Sequence, residues 1–130
     1  MILLDTHVAL WLGEDSRQLS PIARRSIQAA VEDGEDLMLS SVSLYEIARA
    51  VHRGRIQTTL SIHALLSAME RRFVISAVTP AIALAAAQLP AEFPSDPFDR
   101  IIAATALTED IPLLTADQRI RKSRALRTLW

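Results

Sequence analysis

Carboxylates at helix starts are the side chains of this chain whose placement most suggests chemistry. The stretch PSDPFDRIIAATALT, residues 94–108, begins with Asp96 and Asp99 and continues as an apolar helix rich in small residues. Ionised carboxylates beside a buried helix are costly unless a cation or hydrogen bonds compensate them. A cluster of acids next to a core is therefore a candidate metal site.

Three further acids stand close to short apolar runs that are typical of buried strands. They are Asp5 after residues 2–4, Glu46 in the helix after residues 37–39, and Asp117 after residues 111–115. The carboxyl ends of parallel strands share one edge of a sheet, where ligands bind. We therefore expect Asp5, Glu46, Asp99 and Asp117 to meet at that edge, Asp99 by starting its helix on the same side.

Converging carboxylates repel one another unless a cation lies among them. The chain has no cysteine, which excludes thiolate ligands, and His7, His52 and His63 are not spaced as a metal-binding set. His7 is expected on a helix surface or partly buried. An all-carboxylate site that keeps several waters suits Mg²⁺ or Mn²⁺. A water activated by such an ion could hydrolyse a phosphodiester without a protein nucleophile.

Each acid also has a plainer interpretation as a helix cap. Asp5 and Asp117 could cap the helices that follow them, and Ser43 with Glu46 fits a capping box. For Asp96 the capping role is favoured, because Pro97 suits the first helical position, although a ligand role stays open. Asp99, one turn further along, is then left to face the cleft.

Apolar runs and amphipathic segments alternate along the chain. Strands are expected at 2–4, 37–39, 74–79 and 111–115, with helices at 6–12, 21–31, around 45–48, 60–73, 80–89, after 97 and after 117, and the last residues, 126–130, allow a short strand. This alternation predicts an α/β fold with a central parallel sheet covered by helices on both sides.

Composition limits the possible classes of protein. The 130 residues suffice for one domain, and 50% apolar with 22% charged residues is typical of soluble globular proteins. The first residues lack the features of a signal peptide, and no apolar stretch could span a bilayer, so we expect a cytoplasmic protein without membrane contact. The absence of glycine-rich phosphate loops and of a GxSxG motif argues against nucleotide-binding enzymes and serine hydrolases.

Thirteen of the fourteen basic residues are arginine, which suits bidentate contacts to phosphate or carboxylate. Arg49 and Arg53 follow Glu46 by three and seven residues and so share its helical face. They could meet a phosphate backbone or the carboxylates of a partner. Arg100 directly follows Asp99, and we expect it to make a structural or dimer contact.

Four motifs carry a family resemblance: LLDTHVALW, SSVSLYEIA, SDPFDRIIAATAL and PLLTADQRI. In this order they resemble the PIN-domain nucleases, in particular the VapC-type toxins of type II toxin–antitoxin modules. The resemblance covers nearly the whole chain. It implies one PIN domain over residues 1–130 with a three-layer α/β/α fold.

The resemblance also implies a function. It implies a Mg²⁺- or Mn²⁺-dependent endoribonuclease that cleaves RNA, forms homodimers, is inhibited by a cognate antitoxin, and meets operator DNA only through that antitoxin. The family's acidic site corresponds to Asp5, Glu46, Asp99 and Asp117, with Thr6 and Thr115 as polar helpers. Ser95 is a departure, because relatives commonly carry histidine or arginine there.

Two other functions remain as alternatives. The chain could be a catalytically silent PIN-fold binding module that acts through an antitoxin or a DNA-bound complex. It could also be a metal-dependent phosphatase with Asp5 as nucleophile, but that chemistry needs a second acid two residues later, where the chain has His7. We rank the phosphatase last.

Overall fold

Five strands form one sheet in which all neighbouring strands run parallel. A computed structural model describes residues 1–130. Its strands are β1 (Ile2–Leu4), β2 (Leu37–Ser40), β3 (Val74–Ser76), β4 (Leu113–Leu114) and β5 (Thr128–Leu129), in the spatial order β3-β2-β1-β4-β5. The apolar strand β1 lies in the middle, as its unbroken burial requires.

Seven helices surround the sheet. They are α1 (Thr6–Glu14), α2 (Pro21–Glu32), α3 (Ser41–His52), α4 (Ile62–Arg72), α5 (Pro80–Gln88), α6 (Pro97–Glu109) and α7 (Gln118–Lys122), with a 3₁₀ turn over Ser16–Gln18. No helix combines the length and the apolar composition that crossing a membrane requires.

The two faces of the sheet support separate apolar cores. Successive side chains of a strand point to opposite faces. Leu4 packs in one core with Val8 of α1 and Ile27 of α2. Leu3 packs in the other core with Ile102 of α6. Helices therefore cover both faces, which confirms the predicted three-layer α/β/α fold.

Polar caps fix where several helices begin. The caps are Ser20 for α2, Ser61 for α4, Thr79 for α5 and Asp96 for α6, and each side chain accepts a hydrogen bond from a backbone amide of the first turn. Such bonds satisfy amides that have no partner within the helix. The starts of these helices thus follow directly from the sequence.

One local prediction is wrong, and one alternative interpretation is excluded. The strand expected over 74–79 ends at Ser76, because its partner on β2 is Ser40 and the next residue already begins α3. Ser40 also caps α3 by accepting a hydrogen bond from the amide of Val42. Ser43 is consequently a buried residue inside the helix, and the capping box that was the alternative interpretation of Ser43 and Glu46 does not form.

Candidate active site

Asp5 lies at the carboxyl end of β1 and is held by hydrogen bonds at both oxygens. Oδ1 accepts from the amide of Thr6 at 2.8 Å, and Oδ2 accepts from Oγ1 of Thr115 at 2.6 Å. Thr115 follows β4, which pairs with β1. Asp5 is only 4% exposed, so its orientation is set by these donors.

Glu46 on α3 is connected to the same edge through Thr6. Oγ1 of Thr6 lies 2.7 Å from Oε1 of Glu46 and 2.8 Å from Oγ of Ser43. A hydroxyl has one proton. Because an ionised carboxylate can only accept, the proton of Thr6 goes to Glu46, and the Ser43 hydroxyl supplies the other bond. Burial raises the pKa of Glu46, and the hydrogen bond from Thr6 opposes that rise.

Asp99 lies in the first turn of α6, and its side chain is 19% exposed. Burial raises its pKa to about 7, and the negative charges of Asp5, Asp96, Asp117 and Glu46 add to the rise, in that order. Four carboxylates, three of them from distant parts of the sequence, therefore lie close enough to Asp99 to raise its pKa.

Asp117 is both a helix cap and part of an ion pair. Its Oδ1 accepts from the amide of Arg119 at 2.8 Å, which starts α7. Nη2 of Arg119 lies 2.9 Å from Oδ2 of Asp117 and 3.8 Å from Oδ2 of Asp99. The hydrogen bond from the Arg119 side chain lowers the pKa of Asp117. One guanidinium thus joins two of the predicted site acids.

A cavity of about 230 Å³ opens between α1, α3 and α6. Its charged lining consists of Asp5, Glu46, Asp99, Arg49, Arg53 and Arg55. Three of the four predicted acids therefore face one cavity. Asp117 does not line it and is connected to Asp99 by the Arg119 side chain. The arginines bring positive charge to the side of the cavity formed by α3 and the turn after it.

His7 also lines this cavity, a position that was not predicted for it. Its Nε2 accepts a hydrogen bond from the amide of Ala116 at 3.1 Å. Nδ1 lies 3.7 Å from Oδ2 of Asp5. The only signal in the sequence was its position two residues after Asp5. Its partial burial agrees with the prediction.

The fold and the arrangement of acids agree with one family. The chain matches the PIN domain over residues 2–126. It belongs to the PIN-domain family. A relative of this PIN domain, "Ribonuclease VapC22" of Mycobacterium tuberculosis (strain ATCC 25618 / H37Rv), is 34% identical over 131 residues, which cover 99% of this chain and 98% of that protein.

Solved structures share the fold of this PIN domain at lower identity. The VapBC2 structure of Rickettsia felis, bound to a DNA fragment from its promoter, gives a TM-score of 0.74 at 16% identity and covers 98% of this chain and 97% of that chain. A toxin–antitoxin complex from Klebsiella pneumoniae gives 0.67 at 20% identity, with 96% and 93% covered.

Two neighbours of the acids have structural roles in this PIN domain. Asp96 caps α6 as predicted, accepting from the amides of Phe98 and Asp99 at 2.8 and 3.1 Å. Arg100 points away from the cavity. It donates hydrogen bonds to the backbone carbonyls of Ala86, Leu89, Phe93 and Pro94. The structural contact predicted for Arg100 is therefore confirmed.

The acids of this PIN domain fit a divalent cation by their chemistry. They are hard oxygen donors. Burial is the main cause of the raised pKa of Asp99, and the neighbouring carboxylates add to it, so a cation among them would relieve their repulsion. As the side chains stand, no three His, Asp or Glu residues converge closely enough to hold an ion. Arg119 contacts two of the acids in this arrangement.

Proposed function

We propose that this PIN domain is a Mg²⁺- or Mn²⁺-dependent endoribonuclease and the toxin of a type II toxin–antitoxin pair. The observation that carries the proposal is the link between Asp5 and Glu46, which Thr6 joins at the cavity that Asp99 also faces. The relative named a ribonuclease, at 34% identity over nearly the full chain, supports it.

The four acids differ in how much they must rearrange to bind the ion. Asp5 and Glu46 are already oriented by threonine hydroxyls and need little rearrangement. Asp99 and Asp117 would complete the set after releasing Arg119. When bound, the ion supplies Lewis-acid activation of water and of the phosphodiester. These carboxylates must be ionised to bind it, so protons compete with the metal.

The arginines of the cavity would bind the RNA backbone. Arg49, Arg53 and Arg55 lie beside the acids in one cavity. Guanidinium groups form bidentate hydrogen bonds with phosphate oxygens. Positive charge on one side and carboxylates on the other would hold the scissile phosphate between them.

The proposal includes the partners of such a toxin. We infer a cognate antitoxin and a homodimer in the cytoplasm, with operator DNA reached only through the antitoxin. The support is the fold shared with chains solved in a toxin–antitoxin complex and in VapBC2 on promoter DNA. Co-purification with a small protein from the neighbouring reading frame tests the antitoxin. Light scattering of the free chain tests the dimer.

Cleavage of RNA with Mn²⁺ or Mg²⁺ tests the enzyme. The wild type should cut a mixed RNA substrate, and EDTA should stop it. Asp99→Asn should lower the rate by about 100-fold or more, because one of the carboxylates proposed to bind the ion is lost. Asp36→Asn makes the same chemical change on an exposed turn and should cut as the wild type does. An Asp99→Asn variant as fast as wild type would overturn the site assignment.

A further inference from the structure

Two aromatic side chains stand immediately before two of the site acids. Tyr45 precedes Glu46 on α3, and Phe98 precedes Asp99 on α6. Their ring centroids are 5.6 Å apart, and the ring planes are tilted by 55°. Residues on separate helices thus form one aromatic pair beside the acidic cavity.

Arg49 connects this pair to the cavity. Its guanidinium carbon lies 5.6 Å from the ring centroid of Tyr45 and 5.3 Å from that of Phe98. Arg49 also lines the cavity that holds Glu46 and Asp99. We call Tyr45, Arg49 and Phe98 the aromatic ledge. The ledge is therefore a group of two tilted rings and a guanidinium, and Arg49 links it to the proposed cleavage site.

Tyr45 contributes little to the folding core. It is 57% exposed, whereas Phe73 and Phe93 are buried, and Trp11 and Trp130 pack against the first core. The exposed surface of the Tyr45 ring, which Arg49 holds in position, is therefore open to a ligand. Because Arg49 connects Tyr45 to the acidic cavity, a molecule bound at the proposed cleavage site would also contact this ring.

The chemistry of the ledge fits an unpaired nucleobase better than a second protein. Aromatic rings and guanidinium planes are the groups on which proteins stack splayed-out bases. Arg53 and Arg55 lie in the adjoining cavity and supply positive charge for the phosphates of the same strand. A base paired within a duplex has no free face for this stack.

We propose that the aromatic ledge binds one nucleobase next to the scissile phosphodiester by stacking it on the ring of Tyr45. This inference rests on the proposed ribonuclease function. The ring of Tyr45 is the main contact, and Arg49 and Phe98 position it. Duplex RNA of the same sequence should bind more weakly.

Binding measured without cleavage tests the ledge. A short single-stranded RNA containing 2-aminopurine is titrated with protein in EDTA at low salt, and its fluorescence and anisotropy are followed. The wild type should quench the fluorescence, which reports stacking. Tyr45→Leu removes the ring but keeps apolar bulk, and should weaken binding by about 5- to 50-fold and abolish the quenching.

Two matched variants separate stacking from other effects. Tyr45→Phe keeps the ring and should bind within about twofold of the wild type, because the π-face is retained. Leu84→Ala changes another exposed apolar residue, on α5, and should leave binding unchanged. All variants should melt at the wild-type temperature, because both positions are exposed.

The outcomes distinguish this inference from the ribonuclease function. If the wild type cuts RNA and Tyr45→Leu binds and cuts it equally well, the ledge is wrong and the nuclease stands. If quenching depends on Tyr45 but no divalent ion supports cleavage, the ledge stands and the nuclease is wrong. A wild type that binds no RNA in EDTA overturns the ledge, and one that also fails to cut RNA with Mn²⁺ or Mg²⁺ overturns both. Should Tyr45→Leu dissociate a dimer and yet bind RNA normally, the ledge belongs to a second copy and the inference is overturned.

Discussion

Oγ1 of Thr115 donates a 2.6 Å hydrogen bond to Oδ2 of Asp5, across 110 positions of the sequence. The same oxygen accepts from the amide of Asp117 at 3.1 Å. Parallel pairing of β1 with β4 brings Thr115 and Asp5 together. One hydroxyl therefore orients the acid after β1 and fixes the backbone of the acid after β4.

Replacing this hydroxyl should cost stability. Thr115 is fully buried, and Thr115→Val keeps its shape but leaves Oδ2 of Asp5 and the amide of Asp117 without a donor and an acceptor. We expect the free energy of unfolding to fall by about 1 to 3 kcal/mol, since buried polar groups lose their partners. Urea unfolding followed by circular dichroism measures this change.

Thr105→Val is the matched control. Thr105 is equally buried, but its hydroxyl donates to the carbonyl of Ile101 one turn earlier in α6. That carbonyl keeps its place in the helix, so the loss should stay below about 1 kcal/mol. Equal losses of unfolding free energy in the two variants would show that the hydrogen bond from Thr115 to Asp5 adds no more stability than the bond within α6.

From the sequence, a helix cap and a place in the acidic site were alternative roles for Asp5 and Asp117. The structure shows why both roles fall on the same residues. Asp5 and Asp117 each follow a strand of the central sheet and precede a helix, so each caps that helix while lying at the carboxyl edge of the sheet. In a parallel α/β fold these two places coincide. Strand ends, caps and acids were therefore predictable together.

Contacts that depend on side-chain direction were not predictable from local pattern. Arg119 appeared only within the motif PLLTADQRI, yet its side chain reaches Asp99, which lies 20 positions earlier. Tyr45 appeared only as a member of a helix, and its partner Phe98 lies on another. Periodicity assigns a residue to a face of a helix, but the neighbour across that face depends on the whole packing.

Without divalent ions, Asp99 should make the protein less stable as pH rises. Its pKa is raised from 3.8 unfolded to about 7 folded, so the folded state holds the extra proton between those values. The free energy of unfolding therefore falls from about pH 4 to about pH 7. Asp99→Asn should remove about 2 kcal/mol of this pH-dependent loss of stability. That is about half of the free energy that the full pKa shift corresponds to, because the carboxyl group keeps some contact with solvent.

Unfolding in EDTA at pH 5 and pH 8 checks this prediction. The difference in stability between Asp99→Asn and the wild type should shift in favour of the variant at pH 8. Asp36→Asn, on an exposed turn, should show no such shift. An Asp99→Asn variant that follows the wild type at both pH values would mean that Asp99 ionises normally in the folded protein.

Arg100 should stabilise the loop before α6. Its guanidinium donates to four backbone carbonyls between Ala86 and Pro94. Arg100→Met removes these donors, and we expect a loss of about 2 kcal/mol in the free energy of unfolding. Arg71→Met changes an exposed arginine of α4 and should have little effect. Equal stability of Arg100→Met and the wild type would contradict the structural role.

Arg119 should compete with the metal for two acids. Its guanidinium lies 2.9 Å from Asp117 and 3.8 Å from Asp99, and the proposed ion would have to displace it from both. The side chain is 70% exposed, so the ion pairs are weak and the competition modest. Arg119→Gln should tighten Mn²⁺ binding by roughly two- to fivefold, measured by titration calorimetry.

The control for this competition is Arg121→Gln. Arg121 lies on the same short helix and carries the same charge, but it forms no ion pair with an acid. If loss of general positive charge were the cause, both variants would bind Mn²⁺ more tightly by the same factor. Competition at the acids predicts that only Arg119→Gln does so. Weaker Mn²⁺ binding in Arg119→Gln would instead mean that the arginine helps to assemble the site, because it holds Asp99 and Asp117 close together.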